Sequence, residues 1–178
     1  MRIVRTLVLV LAGALLAGGC VISRAPLLGS ASRVVPFESG TRFRIYERDS
    51  ATAPWKRDEK DVVLVADTNK VVRESDDSRK EDADEYTFHP LGPNRYLVQA
   101  RFGAARYAYG ALEIRGGEGY VVAFQCKKID AATLRGAGVV VSTEDCLLEG
   151  APDAVGFLKQ LAVRPGEALI KYVPVKKK

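Results

Sequence analysis

Three cysteines, Cys20, Cys126 and Cys146, and one histidine, His89, are the side chains of this 178-residue chain best suited to covalent, redox or proton-transfer work. A thiolate is a nucleophile and a metal ligand, and two thiols can close a disulfide. Histidine moves protons near neutral pH. Spacing narrows these options. Cys126 and Cys146 stand 20 positions apart, not at the C-x-x-C spacing that redox pairs commonly use. A zinc site would need His89 and at least one further ligand, so no metal is assigned. His89 precedes Pro90 at a strand end and reads as an exposed or packed loop residue. The sequence has no G-x-S-x-G, P-loop or G-x-G-x-x-G motif. Residues 73–85 hold seven acidic side chains (Glu74, Asp76, Asp77, Glu81, Asp82, Asp84, Glu85), but no Gly and no D-x-D-x-D-G spacing. They read as a solvated loop rather than a calcium site. No catalytic residue and no cofactor is assigned, and the chain is not read as an enzyme.

Cys20 has the most specific surroundings. Arg2 and Arg5 open the chain, residues 6–23 carry no charge, and residues 6–16 are almost wholly apolar. A positive start, an apolar stretch and then small residues form the pattern of a signal peptide. The stretch ends Leu15-Leu16-Ala17-Gly18-Gly19-Cys20. This segment resembles the lipobox of bacterial lipoproteins, in which small residues precede an obligatory Cys. Ala17 stands where Leu is usual, with Leu16 one step earlier. The resemblance implies cleavage between Gly19 and Cys20, a diacylglyceryl thioether on the Cys20 sulfur, and usually an acyl group on its amine. Val21 follows Cys20 where the sorting rule of enteric bacteria reads Asp as inner-membrane retention, so the implied address is the outer membrane, facing the periplasm. Two readings stand beside it: a plain secretory signal, or an uncleaved helix. The 18 uncharged residues approach the roughly 20 that span a bilayer, although Gly13, Gly18 and Gly19 weaken such a helix.

With Cys20 lipidated and the domain exported, Cys126 and Cys146 are the two thiols left in an oxidising compartment, and one pairing is open to them. Loop-closure entropy gives that disulfide about 3 kcal/mol. Cleavage takes Arg2 and Arg5 away, so the 27 basic residues fall to 25 against 22 acidic ones, a balance of +3. So small a surplus gives no argument for nucleic acid as a partner.

The elements that position these groups read mainly as strands. Phe43 and Ile45 alternate with Arg42 and Arg44; residues 49–61 form a loop; residues 62–65 form a buried strand that turns at 67–70 and pairs back. Tyr86 and Phe88 share a face. Tyr96, Val98, Ala100 and Phe102 alternate with Leu97, Gln99 and Arg101. Tyr107, Tyr109 and Ala111, then Tyr120, Val122 and Phe124, follow across glycine turns at 103–104 and 116–119. Residues 129–134 suggest a helical turn, 139–141 a strand, 142–145 a turn or helix start, and 169–173 a last strand. The expected class is mainly β, all-β to α+β: an antiparallel meander forming a small barrel or sandwich, with one short helix near 152–162. The expected layout is a signal peptide at 1–19, lipidated Cys20 and a flexible tether at 20–36, one domain at 37–175 and a basic tail at 176–178.

The leading functional expectation is a lipid-anchored envelope protein whose β domain is a binding or structural module for an envelope partner. Tyr107, Tyr109 and Tyr120 would supply contact area if they faced outward. The alternative is a small barrel that binds an apolar ligand. Lysozyme inhibition is disfavoured because the Ser-Gly-x-x-Tyr loop of such lipoproteins does not occur. Wall attachment through Lys178 is disfavoured because the chain has no heptad helix.

Overall fold

The computed structural model describes residues 19–67, 70–74, 85–102, 105–143, 145–163 and 166–175, without the side chains of 58–67, 70–74 and 102. The expected signal segment up to residue 18, the acidic run 75–84, the turn expected at 103–104 and the lysines 176–178 lie outside the described residues. Eleven strands follow in order: β1 (Val21–Ser23), β2 (Arg42–Glu47), β3 (Lys56–Asp67), β4 (Lys70–Glu74), β5 (Glu85–Gly92), β6 (Arg95–Phe102), β7 (Arg106–Arg115), β8 (Glu118–Ala123), β9 (Val140–Ser142), β10 (Asp145–Leu147) and β11 (Ile170–Val175). Helix α1 (Ala131–Gly136) and helix α2 (Ala154–Val163) lie between β8 and β9 and between β10 and β11.

Strands β2 to β8 pair in chain order as an antiparallel meander, and β11 pairs with both β8 and β2. The ring of eight hydrogen-bonded strands is therefore closed, and a barrel replaces the choice between barrel and sandwich. Closure leaves these strands no open edge. Beyond the ring, β1 pairs antiparallel with the start of β7 and parallel with β10, and β10 pairs with β9. The sheet as a whole is thus mixed.

Period-two alternation decides what fills the barrel. Phe43 and Ile45 of β2, Tyr86 and Phe88 of β5, Val98 and Ala100 of β6, Leu112 of β7 and Ile170 of β11 form one buried cluster. Phe37 enters it from the segment before β2, with its ring edge-to-face at 4.8 Å from Phe43 and 6.3 Å from Phe88. Two glycine features matter. Gly116 and Gly117 both have positive φ, as the tight turn between β7 and β8 demands. At Gly110, a Cβ would stand 2.5 Å from the Val122 carbonyl oxygen, so the β7–β8 approach requires glycine.

The opposite faces of β6 and β7 carry a second core. Leu97, Tyr109 and Ala111 pack with Val21, Leu28, Phe124, Cys126, Leu134, Cys146, Leu148, Phe157 and Leu158. Helix α2 lies over this face, close to the expected 152–162. Asp153 Oδ1 accepts the Gly156 N–H at 2.8 Å at its start, and Arg95 donates to the Ala162 carbonyl at its end. Asp130 caps α1 by accepting the Thr133 N–H at 2.8 Å.

Two expectations change. Residues 20–36 are not a free tether: β1 is a fully buried strand, and Leu28 is 6% exposed in the second core. The expected loop at 49–61 ends at Trp55, because Lys56 and Arg57 already pair with Glu47 and Tyr46. Charge on this stretch concealed a strand whose backbone bonds are made regardless of its side chains. At 142–145, expected as a turn or helix start, Ser142 pairs with Asp145 and Thr143 has φ 54°.

Candidate functional site at Cys20

Cys20 immediately precedes β1, in an isolated antiparallel bridge with Gln125; Val21 of β1 and Leu28 beyond it join the second core, while Ile22 packs with Cys20 and Ala108. The backbone around it is fully engaged. Cys126 donates its N–H to the Gly19 carbonyl at 2.9 Å, and Cys146 donates its N–H to the Cys20 carbonyl at 2.8 Å. Val21 donates to the Phe124 carbonyl at 3.0 Å, and Leu148 to the Ile22 carbonyl at 2.9 Å. Cys126 and Cys146 are joined as a disulfide with Cα atoms 5.3 Å apart. The two half-cystines thus flank β1 and are tied to each other around it. The pairing expected from the sequence is present, and Cys20 takes no part in it.

The Cys20 N–H donates to Asp145 Oδ1 at 2.8 Å, and Arg106 pairs with the other carboxylate oxygen at 3.0 Å. The side chain packs with Ile22, Ala108 and Leu147. Burial pushes the Cys20 thiol up to about 11; nearby Asp145 adds to the rise and Arg106 opposes it. The folded chain therefore holds a protonated, weakly nucleophilic sulfur at neutral pH.

Behind β1, a line of polar side chains binds the following segment to the barrel. Ser23 Oγ meets the Tyr109 hydroxyl at 2.6 Å. Gln99 Oε1 accepts the backbone N–H groups of Leu27 and Leu28 at 3.0 and 3.1 Å. Gln99 Nε2 donates to Thr87 Oγ1 at 3.5 Å, His89 Nε2 lies 3.2 Å from the same hydroxyl, and His89 Nδ1 lies 2.8 Å from Ser32 Oγ. This corrects the loop reading of His89, which sits within β5 and is 4% exposed. Burial first, and Arg33 second, lower it to about 4. The Ser32–His89 contact has the spacing of a nucleophile and its base, but the second ring nitrogen meets a Thr hydroxyl where a carboxylate would orient and charge-balance it. A base so weak and so placed serves as a strap.

The three tyrosines separate. Tyr109 is buried in the polar line, Tyr107 packs against the second core, and Tyr120 is half-buried on the barrel exterior. Tyr120 stands edge-on to Trp55 at 6.3 Å. Cations interleave with these rings: Arg48 lies 4.5 Å from the Trp55 centroid, Arg115 5.3 Å from Tyr120, and Lys171 5.1 Å from Tyr46.

Reading the sequence missed Asp145, Arg106, Ser23, Ser32, Thr87 and Gln99. Gln99 and Thr87 alternate with apolar neighbours and so mimic a solvent face; Leu97 on the same face as Gln99 was the available signal that something covers it. Among the described residues no group of three His, Cys, Asp or Glu side chains could hold a metal ion, and no helix is long and apolar enough to cross a membrane. No family model matches the chain, and no curated protein or solved structure matches it.

Proposed function

We propose that this chain is a bacterial envelope lipoprotein, exported, cleaved before Cys20, lipidated on the Cys20 sulfur and held at the outer membrane with its barrel facing the periplasm. The observation that carries this reading is the position of Cys20. The residue that would bear the lipid immediately precedes a strand gripped between the two half-cystines. An anchor there is mechanically continuous with the barrel, and the oxidising compartment that the disulfide needs is the one that export would supply. The docked Cys20 side chain is packed among Ile22, Ala108 and Leu147, so on this reading the lipid is attached before β1 docks. Two or more chains are needed for durable anchoring, since a single one binds reversibly.

The barrel then acts as a binding or structural module. Trp55, Tyr120 and Tyr46, with Arg48, Arg115 and Lys171 among them, form the exterior surface best suited to an envelope partner, because half-buried aromatic rings and Arg are what such contacts use. Enclosure of an apolar ligand has less support. Phe37, Phe43 and Phe88 occupy the barrel interior, and an exterior groove beside Phe124, Ile129 and Leu161 measures about 140 Å³, below the roughly 300–1,000 Å³ of ordinary ligand sites.

Replacing Cys20 by Ser tests the reading. The variant is expected to leave the membrane fraction, and globomycin is expected to make the wild-type precursor accumulate. Unchanged fractionation together with unchanged processing contradicts it.

A further inference from the structure

The Gly19–Cys20 peptide group is used at both ends. Its carbonyl accepts the Cys126 N–H at 2.9 Å, and its N–H donates to Asp145 Oδ1 at 2.8 Å. If the chain is cut at this bond, as the lipoprotein reading holds, the carbonyl leaves with Gly19 and the nitrogen becomes an ammonium. The Cys126 N–H, in the backbone of a buried half-cystine, then loses its acceptor. A backbone N–H without a partner inside a fold is rare and unfavourable.

We propose that the Cys126 N–H and the Asp145 carboxylate form a receptor for an acyl amide on the Cys20 nitrogen, so that the folded domain recognises the N-acylated form of its own terminus. A fatty acyl amide is a planar trans C(=O)–N–H group like the peptide it replaces. Its oxygen stands where the Gly19 oxygen stood, and its N–H where the Cys20 N–H stands. The chemistry that makes it balances: the neutral Cys20 amine attacks the carbonyl carbon of an acyl ester, the C–N bond forms, the ester C–O bond breaks, and the alcohol leaves with the amine's proton. The charge balance admits the amide. A neutral N–H asks Asp145 for a hydrogen bond and no counter-charge, and Arg106, at 3.0 Å from Oδ2, already supplies one. Hydrogen bonds to an ionised acceptor are the stronger kind. The disulfide gains a second role, because it fixes the Cys126 N–H on which the acyl carbonyl rests.

This inference rests on cleavage before Cys20, and the test keeps the two apart. Mature protein is purified in detergent from membranes of cells with and without the enzyme that acylates lipoprotein amines, and the mass of the N-terminal peptide is read first. Amide hydrogen exchange at Cys126 is then compared between the acylated and free-amine forms with the disulfide intact. We expect exchange about tenfold slower or more in the acylated form, with amides of the β6–β7 ladder unchanged. Equal exchange at Cys126, or faster exchange in the acylated form, overturns the receptor while leaving the anchor in place. An uncleaved chain in the starting material overturns both.

Discussion

Inside the barrel, Phe43, Ile45, Phe88 and Leu112 pack among other apolar side chains; outside the same strands, Thr87, His89, Gln99 and Tyr109 carry imidazole, amide and hydroxyl groups to a covering segment. The interior is held by shape and area. The outer layer, with β1, β10 and the strap at 23–32, has an apolar core of its own and adds directed bonds to it: a disulfide, four backbone hydrogen bonds around β1, and the polar line from Ser23 to Ser32. Apolar packing tolerates small displacements of each partner, whereas hydrogen bonds fix a position to a few tenths of an ångström. The difference suits an anchored domain. A barrel that folds by burial is joined to its proposed attachment point by bonds that set where that point lies.

Variants can break this contrast. The largest effect is expected in the interior. Phe43 is fully buried and edge-on to both Phe37 and Tyr172, so Phe43→Ala is expected to cost about 3–5 kcal/mol in denaturant unfolding. A loss under 1 kcal/mol would mean that the interior is not close-packed. Replacing both Cys126 and Cys146 by Ala is expected to cost about 3 kcal/mol. Here the location matters more than the total: amide exchange should rise at β1 and β10 and stay slow along β6 and β7. Uniform loss across the barrel would erase the distinction between the two layers.

His89 sharpens the contrast through pH. In the unfolded chain the imidazole titrates near 6.5, and in the folded chain near 4. Between those values the unfolded chain binds more protons, so stability is full above pH 6.5 and falls as pH drops towards 4. Among the described residues the groups that face it are Ser32, Thr87 and Arg33, none of them a carboxylate. The loss is expected to be about 3 kcal/mol at most. His89→Gln, which keeps polar atoms but does not titrate, should flatten the dependence between pH 4 and 6.5. The same slope in both proteins would assign the titration elsewhere.

How much of this was legible follows the same division. The interior strands announced themselves because Phe43 and Ile45, Tyr86 and Phe88, and Val98 and Ala100 repeat with period two, and the turns at 93–94 and 116–117 carry residues that tolerate positive φ. Closure of the ring was not legible. It depends on β11 entering between β2, more than 120 positions before it, and β8, about 50 positions before it, which no local pattern encodes. The outer layer was hidden for another reason. Val21-Ile22-Ser23 is too short for periodicity, and Gln99 or Thr87 looks the same in sequence whether it meets water or a buried backbone N–H. At Cys20 the motif before it was legible, and the clamp around it was not, since Asp145, Arg106, Cys126 and Cys146 come from three later segments.

The most direct measurement is the mass of the N-terminal peptide of the protein extracted from membranes. The account expects a peptide that begins at Cys20 and carries a diacylglyceryl group on its sulfur. A peptide that still contains residues 1–19, or a Cys20 thiol without lipid, would contradict it.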